Sequence, residues 1–381
     1  MHKLQSLILI SVLAMGIWAA EDSSTQTLLD NLKYRHAPDK RTSVYALEYV
    51  QRGDTLVITG ETDKSEVLED LKSQLKKQKK PWRIDAALLP HPSLGDSCYG
   101  IIKLSTVTIH GVPDITTELV NQTIMGTAVK ILKDSAGYFR IQTPDQYLGW
   151  VEKGTLVRIT KNQYNHYDQS GLAIYMDRWG LIYEKPDAGS QPCCDIVMTA
   201  LVKPLEEKGE WVRIQLPDGQ EGYVIAKSLK DYQQWKTQTV AAVDNIIQTA
   251  RQFMGVPYLW GGASSKMLDC SGFVQLAFKI NNYLLPRDAS QQVFLGEEIE
   301  ITDDFRNARP GDLLFFGHYD KQRQRERITH VGLYLGDYRY IHEATSVHIN
   351  SLHPDSVDYN EYRHSHLRHI KRILGAEPTK K

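Results

Sequence analysis

An internal repeat constrains the middle of this 381-residue chain more than any other feature. The segment VKILKDSAGYFRIQTPDQYLGWV, residues 129–151, aligns without gaps to VKPLEEKGEWVRIQLPDGQEGYV, residues 202–224, at a constant offset (202 − 129 = 73). Each copy has strand-length segments separated by Gly, Asp and Pro turns, a pattern typical of a small antiparallel barrel. Because two copies are too few for a solenoid, we expect two tandem barrels, at residues 100–160 and 170–232.

The segments that flank the repeat predict two further folded units. Residues 43–60 alternate and turn at residues 52–54, which predicts a hairpin, and a helical apolar face follows it. We therefore expect a small α+β unit over residues 25–95 that begins with a polar, poorly periodic segment. After the repeat, two helical patterns followed by short apolar strands predict an α+β domain over residues 240–374.

The first twenty residues, MHKLQSLILISVLAMGIWAA, have the three parts of a secretory signal peptide. A basic start is followed by an apolar run from Leu7 to Trp18 and then by small residues, and the run is short for a membrane span. An uncleaved membrane anchor is the alternative. We expect cleavage near Ala19 or Ala20, and therefore an exported protein of the periplasm or cell surface that is not held in the membrane.

Charge and cysteine content narrow the function. The formal net charge of −1 provides no field that would attract nucleic acid or an anionic membrane. Four cysteines are too few for a disulfide-built fold, so the core must come from burial. Cys193 and Cys194 are adjacent and rarely bond each other; whether one of them pairs with Cys98 is left open. Cys270 then needs an explanation of its own.

Cys270 lies at the predicted start of a helix, between an acid and a serine. Unpaired N–H groups and the helix dipole favour a thiolate at such a position, and the same amides can stabilise an oxyanion. A thiol nucleophile also needs a base, and His330 leads into an apolar strand. His342 follows twelve residues later (342 − 330 = 12), on a second predicted strand. Two antiparallel strands joined at GDYR would place the two histidines side by side.

Plain structural roles are the alternatives for these residues: a small buried cysteine and a hydrogen-bonded core histidine. Further histidines at 364, 366 and 369 lack cysteine or carboxylate partners at metal spacing, and we expect them on a polar, irregular tail. We therefore predict no metal and no organic cofactor.

Five segments resemble, in order, the motifs of the NlpC/P60 cysteine peptidases: PYLWGGASSKMLDCSGFVQLAF, LPRDASQQ, RPGDLLFFG, THVGLYLG and YIHEATS. These are papain-like hydrolases that cut γ-D-glutamyl-diamino-acid bonds in bacterial wall peptides, and the resemblance covers residues 240–374. It implies a papain-like α+β fold with Cys270 as nucleophile, His330 as base and His342 as the third, orienting residue. The family accepts other polar residues at that third position.

The repeat is similar to bacterial SH3-like domains found on wall enzymes, with an aromatic residue, Trp150 or Tyr223, after its last glycine. One NlpC/P60 subgroup joins such barrels to the N-terminal side of the peptidase, and the first barrel closes one end of the cleft. There a glutamate and a tyrosine hold the free N-terminal L-alanine of the substrate. Glu118, in TTELVNQ, and Tyr147, in DQYLGW, match these positions, whereas the second barrel has Gln220 in place of the tyrosine.

Residues around the nucleophile match positions that shape the family's substrate pocket. They are Tyr258, Trp260, Asp269, Ser271, Asp288 and Ser290. A free α-amine needs a carboxylate, which Asp269 can supply beside the nucleophile. Core packing is the alternative for Trp260, and a helix cap is the alternative for Ser290.

The activity that the resemblance implies is release of L-Ala-γ-D-Glu from wall peptides that have already been cleaved. The alternatives are an endopeptidase acting on intact peptidoglycan stems, a non-catalytic wall-binding module and an acyltransferase of the same fold. Two features depart from the family pattern: the extra N-terminal unit, and a long charged loop, YDKQRQRER, that we expect just before His330.

Overall fold

The structure of the protein is a computed structural model that describes residues 24–375. It comprises two compact units: residues 24–95 with the stretch 132–134, and residues 96–131 with 135–375. The predicted signal peptide lies outside the described residues. Within the described part of the chain, none of the helices combines the length and apolar character that a membrane crossing requires.

The first unit packs two helices against a small mixed sheet. Its apolar core comes from leucine, isoleucine and valine side chains of both helices and the hairpin. The sheet pairs the antiparallel hairpin with two short parallel strands. Its elements are helix α1 (residues 24–36), β1 (Tyr45–Arg52), β2 (Thr55–Thr62), α2 (Ser65–Leu75), β3 (Trp82–Ile84) and β4 (Ala87–Leu88).

The first barrel is a seven-stranded sheet of order β11-β5-β8-β9-β10-β6-β7. Its strands are β5 (Tyr99–Ile102), β6 (Thr106–His110), β7 (Leu119–Ile124), β8 (Ala128–Ser135), β9 (Tyr138–Gln142), β10 (Leu148–Glu152) and β11 (Leu156–Ile159). Helix α3 (Lys161–Tyr167) follows and begins with a capping box at Thr160.

The second barrel is a seven-stranded sheet of order β14-β13-β17-β16-β15-β12-β18. Its strands are β12 (Ala173–Tyr175), β13 (Trp179–Tyr183), β14 (Pro192–Val197), β15 (Leu201–Lys208), β16 (Trp211–Gln215), β17 (Glu221–Ile225) and β18 (Leu229–Asp231), and helix α4 (Tyr232–Gln238) follows.

The sequence repeat is also a repeat of strand pairing. Gly149 lies opposite Ile141 in the first barrel, and Gly222 lies opposite Ile214 in the second. Both pairs are related by the same offset of 73 residues (222 − 149 = 73). A side chain at Gly149 would meet the side chain of Ile109, so the glycine is required by close strand packing.

The C-terminal part is an α+β domain, as predicted, built on a six-stranded sheet of order β21-β26-β22-β23-β24-β25. Its helices are α5 (Val243–Arg251), α6 (Cys270–Ile280), α7 (Ala289–Gln292) and α8 (Glu361–Ser365). Its strands are the short pair β19 (Ala263–Ser264) and β20 (Met267–Leu268), followed by β21 (Glu297–Ile299), β22 (Leu313–Asp320), β23 (Arg325–Gly336), β24 (Arg339–Glu343), β25 (Val347–Ser351) and β26 (Leu367–Arg372). Helix α6 is buried along nearly its whole length, and its apolar side chains form one core with the sheet.

Three segments differ from the sequence-based prediction. The polar segment before the hairpin contains α1, whose Leu29 and Leu32 enter the core of the first unit. A narrow apolar face is therefore enough to pack this helix against the core. The expected charged loop before His330 is mostly strand, because β22 and β23 continue as a hairpin with its turn at residues 321–324. The expected irregular tail is also wrong: β26 is an inner strand of the sheet, and His369 pairs with Glu298 and Glu326.

Both barrels pack against the C-terminal domain within the second unit. Gly261 has a positive φ of 75°, and a Cβ there would lie 2.6 Å from the carbonyl oxygen of Leu119. The two barrels also meet backbone to backbone, since the N–H of Leu201 donates to the carbonyl of Met125 at 3.0 Å. All four cysteines are free.

Candidate active site

Cys270 is the first residue of α6, and its local sequence explains why the helix begins there. The Asp269 side chain caps the helix by accepting a 2.8 Å hydrogen bond from the N–H of Gly272. The Cys270 side chain is buried, and its sulfur receives backbone hydrogen bonds from Ser271 and Val331. Since Val331 follows His330 on β23, the sulfur lies directly against the strand that carries this histidine.

The two predicted histidines are in contact. His330 Nε2 lies 2.7 Å from His342 Nδ1, and His342 Nε2 lies 3.0 Å from Asn350 Oδ1. β23 and β24 pair in the register that places Gly332 opposite His342, with the turn at Asp337 and Tyr338 in left-handed conformations. The predicted hairpin therefore brings the imidazoles together.

The hydrogen-bond network fixes the tautomers of both rings. The Asn350 amide nitrogen donates to the carbonyl of Asp358 at 3.2 Å, so its oxygen must face His342. Burial lowers the pKa of His342 to about 3, and this neutral ring donates from Nε2 to Asn350 and accepts at Nδ1. His330 Nε2 is then the donor to His342. Nδ1 of a neutral His330 is left as a proton acceptor.

A buried ionic cluster lies behind the nucleophile. Arg287, 1% exposed, donates to both carboxylate oxygens of Asp269, at 3.0 and 2.6 Å, and also to the Ser271 hydroxyl at 3.0 Å. It donates in addition to Asn121 Oδ1 of the first barrel at 2.7 Å. Arg287 stands inside the motif LPRDASQQ, but its sequence context alone did not mark it as a site residue. Because Arg287 already balances the charge of Asp269, the expectation that Asp269 is available for a substrate amine is not supported.

The first barrel places polar side chains at the cleft. Trp260 is 62% exposed, and its indole N–H donates to Glu118 Oε1 at 2.8 Å, so core packing is the wrong interpretation of Trp260. The buried Tyr147 donates from its hydroxyl to Asp288 Oδ2 at 3.3 Å. Glu118 forms no ion pair with any cation among residues 24–375.

The remaining two predicted substrate contacts lie nearby. Tyr258 is half-buried. Burial is the largest cause that raises the pKa of its hydroxyl, and the nearby Cys270 thiol raises this pKa further. Ser290 is half-buried inside α7 and is not its cap. The cap is Asp288, which forms a capping box with Gln291.

Cavity size alone does not identify this site. A cavity of about 690 Å³ lies among the two barrels and the far end of α6, where Gln275 and Lys279 line it. Cys270, His330 and His342 are not among its lining residues.

The ionisation of the cysteine differs from the expectation for a helix start. Burial, followed by the negative charge of Asp269, raises the pKa of the Cys270 thiol to about 12. The backbone N–H groups of Val331 and Ser271 and the charge of Arg287 oppose this increase but do not cancel it. The pKa of His330 is held well below its usual range, mainly because the ring is buried and also because the positive charge of Arg363 opposes protonation. At neutral pH the pair is therefore a neutral thiol beside a neutral imidazole, not a preformed thiolate.

Comparison with known families gives two matches. Residues 255–371 match the NlpC/P60 family, and residues 110–156 match the bacterial dipeptidyl-peptidase SH3 domain. The chain therefore contains a domain of the NlpC/P60 family of cysteine peptidases. The matched segment of this NlpC/P60 enzyme includes Cys270, His330 and His342, and the SH3 match includes Glu118 and Tyr147.

Two curated relatives and one solved structure are similar to parts of this chain. It is 27% identical over 265 residues to dipeptidyl-peptidase 6 of Lysinibacillus sphaericus, covering 66% of this chain and 91% of the relative. It is 42% identical over 106 residues to the gamma-D-glutamyl-L-lysine dipeptidyl-peptidase of Bacillus subtilis, covering 28% and 33% of the two chains. The crystal structure of an NlpC/P60 family protein from Bacillus cereus has the same fold, with a TM-score of 0.60 at 22% identity, over 72% of this chain and 99% of the other.

The raised thiol pKa predicts a distinctive alkylation profile for the NlpC/P60 enzyme. The rate of Cys270 modification by iodoacetamide is expected to keep rising with pH beyond pH 9, whereas an ordinary thiol levels off near its pKa of about 8.5. Site-specific labelling quantified by mass spectrometry between pH 6 and 10.5 measures this, with unfolded protein as the control. A profile that levels off below pH 7 would contradict the neutral pair and indicate a thiolate.

Glu343 is a second buried acid, directly after His342, and nothing in its sequence context predicted its burial. Its side chain is fully buried, and neither carboxylate oxygen has a hydrogen-bond partner among residues 24–375. Burial, followed by the negative charge of Asp269, raises its pKa to about 8. Glu343 is therefore mostly protonated at neutral pH.

This titration predicts a pH-dependent stability difference between the wild type and Glu343→Gln. The carboxyl ionises near pH 4.5 when unfolded but near 8 when folded, so unfolding becomes easier as pH rises between these values. Relative to the variant, the wild type is expected to lose on the order of 2–4 kcal/mol across this window, with no further loss above it. Thermal midpoints of both proteins from pH 4 to 9 test this. A gap that is the same at both ends would show that Glu343 does not titrate in this way.

Proposed function

We propose that this enzyme hydrolyses the bond between γ-D-glutamate and the following diamino acid in peptidoglycan-derived peptides that carry a free N-terminal L-alanine. The products are L-Ala-γ-D-Glu and the diamino acid or the peptide that begins with it. The observation that carries this proposal is the 2.8 Å hydrogen bond between Glu118 of the first barrel and Trp260 of the peptidase domain. It brings a carboxylate that has no cationic partner among residues 24–375 against an exposed tryptophan of the domain that holds Cys270.

The proposed chemistry follows from the neutral thiol–imidazole pair. Cys270 Sγ attacks the γ-carbonyl carbon of D-glutamate while its proton passes to Nδ1 of His330. His342 accepts a hydrogen bond from His330 Nε2 and so stabilises the imidazolium that forms. The imidazolium protonates the leaving amine, and the C–N bond breaks to give a thioester. Water, deprotonated by His330, then attacks the thioester and releases the free γ-carboxylate with regeneration of the thiol.

The charge distribution at the cleft favours an ammonium group at the barrel end. Arg287 already neutralises Asp269, whereas Glu118 has no cationic partner among residues 24–375. Asp288 adds a second carboxylate beside Tyr147. A free α-amine on L-alanine would supply the missing positive charge, while an acylated or glycan-linked N-terminus would bury the Glu118 charge uncompensated. The printed name of the B. subtilis relative, a γ-D-glutamyl-L-lysine dipeptidyl-peptidase, is consistent with this specificity.

The test is a paired digestion of L-Ala-γ-D-Glu-L-Lys and its N-acetylated form. We expect hydrolysis of the free-amine peptide only. Glu118→Gln should lower kcat/KM for that peptide by about 10- to 100-fold, since one charge-assisted contact is lost. Glu207→Gln, an exposed acid of the second barrel, is the matched control and should leave kcat/KM unchanged.

The other outcomes contradict the proposal in different ways. Cleavage of both peptides would indicate an open cleft and an endopeptidase of intact stems. Cleavage of neither would favour a wall-binding module, or an acyltransferase if acyl transfer to an added amine is detected.

A further inference from the structure

We infer that Arg363 binds a carboxylate of the diamino acid on the leaving-group side of the scissile bond, and thereby selects substrates with an acidic leaving group. This inference rests on the proposed function and adds a specificity-determining residue to it.

The position of Arg363 beside the catalytic histidine is the first observation. Its guanidinium carbon lies 5.7 Å from the centre of the Phe316 ring, and the same ring lies 5.7 Å from the His330 ring. Its charge lowers the pKa of both His330 and His342, and it also interacts electrostatically with Cys270. Arg363 and His330 therefore lie near the same aromatic ring, and the charge of Arg363 acts on the reacting groups.

The lack of a counter-ion is the second observation. Arg363 is half-buried, and burial lowers its pKa, yet it forms no ion pair with any carboxylate of residues 24–375. Its side-chain contacts are with aromatic rings, those of Phe316 and Tyr362, the latter at 5.6 Å. A partly desolvated cation is costly unless an anion pairs with it, and a guanidinium matches the two oxygens of a carboxylate. The missing anion is therefore expected to come from the substrate.

The backbone around Arg363 is fixed by the catalytic relay itself. Asn360 caps α8 by accepting from the N–H of Arg363 at 3.0 Å, and its amide nitrogen donates to Asn350 Oδ1 at 3.2 Å. Asn350 is also the hydrogen-bond partner of His342. This arrangement holds the backbone of Arg363 in a set position relative to the histidine pair, which is a supporting contact of the kind that selective recognition requires.

Two features of the site assign the carboxylate to the leaving group. The barrel residues Glu118 and Tyr147 contact Trp260 and Asp288, which is the end of the cleft assigned to L-alanine. Arg363 stands at His330, the group that protonates the leaving amine. In addition, an unpaired cation beside His330 opposes formation of the imidazolium. A bound carboxylate would neutralise that cation, so the correct substrate would also assist the proton transfer.

Two carboxylates of the leaving group are possible partners: the α-carboxylate of a C-terminal diamino acid, and the side-chain carboxylate of meso-diaminopimelate. The experiment measures kcat and KM for four peptides. They are L-Ala-γ-D-Glu-L-Lys, its C-terminal amide, the corresponding meso-diaminopimelate peptide with its α-carboxylate amidated, and L-Ala-γ-D-isoglutaminyl-L-Lys. Each is tested with the wild type, Arg363→Gln, Arg363→Lys and the exposed control Arg306→Gln.

The wild type is expected to prefer the peptide with the recognised carboxylate, which is either the L-Lys acid or the amidated diaminopimelate peptide, over the L-Lys amide by about 10- to 100-fold in kcat/KM. Arg363→Gln should remove this preference by lowering activity on that peptide without lowering it on the L-Lys amide, and Arg363→Lys should retain part of it. If the amidated diaminopimelate peptide keeps a dependence on Arg363, the side-chain carboxylate is the partner; if it does not, the α-carboxylate is.

Several results would overturn the inference. The wild type could show no preference for either carboxylate, or Arg363→Gln could lose equal activity on the acid and the amide. A third such result is a dependence on Arg363 that disappears only when the α-carboxylate of D-glutamate is amidated, as in the D-isoglutaminyl peptide. The comparison of wild-type kcat/KM values for the acid and amidated peptides tests the inference even if a variant fails to fold. A wild type that cleaves none of the peptides would instead reject the proposed function.

Discussion

Cys270→Ala is expected to lose hydrolysis of the γ-D-glutamyl-L-lysine peptide by at least about 10⁴-fold in kcat. The loss should be this large because, in the proposed mechanism, the thioester forms on Cys270 Sγ and alanine offers no nucleophile in its place. Removing the buried sulfur should change little else, since a small side chain still fits the start of α6. Release of L-Ala-γ-D-Glu, followed by mass spectrometry, measures the effect.

The matched control is Cys194→Ala in the second barrel, a free cysteine far from the helix start in sequence, which should keep wild-type activity. Activity within tenfold of the wild type in Cys270→Ala would remove Cys270 from the mechanism. A loss of activity in both variants would indicate damage to the fold.

Arg287→Met is expected to lower the free energy of unfolding by about 3–5 kcal/mol, because it leaves the buried Asp269 carboxylate without its cation. Three other groups lose a donor at the same time, among them Ser271 and Asn121. Urea denaturation of the wild type and the variant at pH 7 provides the measurement. The double variant with Asp269→Asn should recover part of the loss, since the uncompensated charge is then removed.

Arg323→Met is the matched control for Arg287→Met. Arg323 is 62% exposed and lies 3.9 Å from Asp320, so its loss should cost at most about 1 kcal/mol. If the two methionine variants were equally stable, the cluster around Arg287 would contribute no more than a surface ion pair.

The architecture was predictable because its signals are local or periodic. The sequence repeat contains the same strand pattern twice, and turn residues mark the ends of the strands in each copy. The order of Cys270, His330 and His342 predicted their places in the fold, because a helix start and a short hairpin leave little freedom for where these side chains lie. For the same reason, the contact between the two imidazoles could be predicted from the turn between their strands.

The rest depends on distance in sequence and on burial, which a local pattern does not contain. Arg287 and Asn121 are 166 residues apart, and no periodicity relates them. The raised pKa of Cys270 is a consequence of how much protein covers the sulfur, whereas the sequence showed only the helix start. Glu343 and Arg363 resemble ordinary surface residues in the sequence, and only the fold shows that each lacks a partner of opposite charge among residues 24–375.

The close backbone contact at Gly261 has a consequence for how such enzymes can be recombined. Because the carbonyl of Leu119 occupies the space of a missing side chain, the first barrel and the peptidase domain share a surface that neither can alter alone. A barrel taken from a distant relative would need a matching strand edge at Leu119 and a glycine opposite it. The exchangeable module is therefore the barrel together with the peptidase domain, and not the segment that carries the cysteine and histidines by itself.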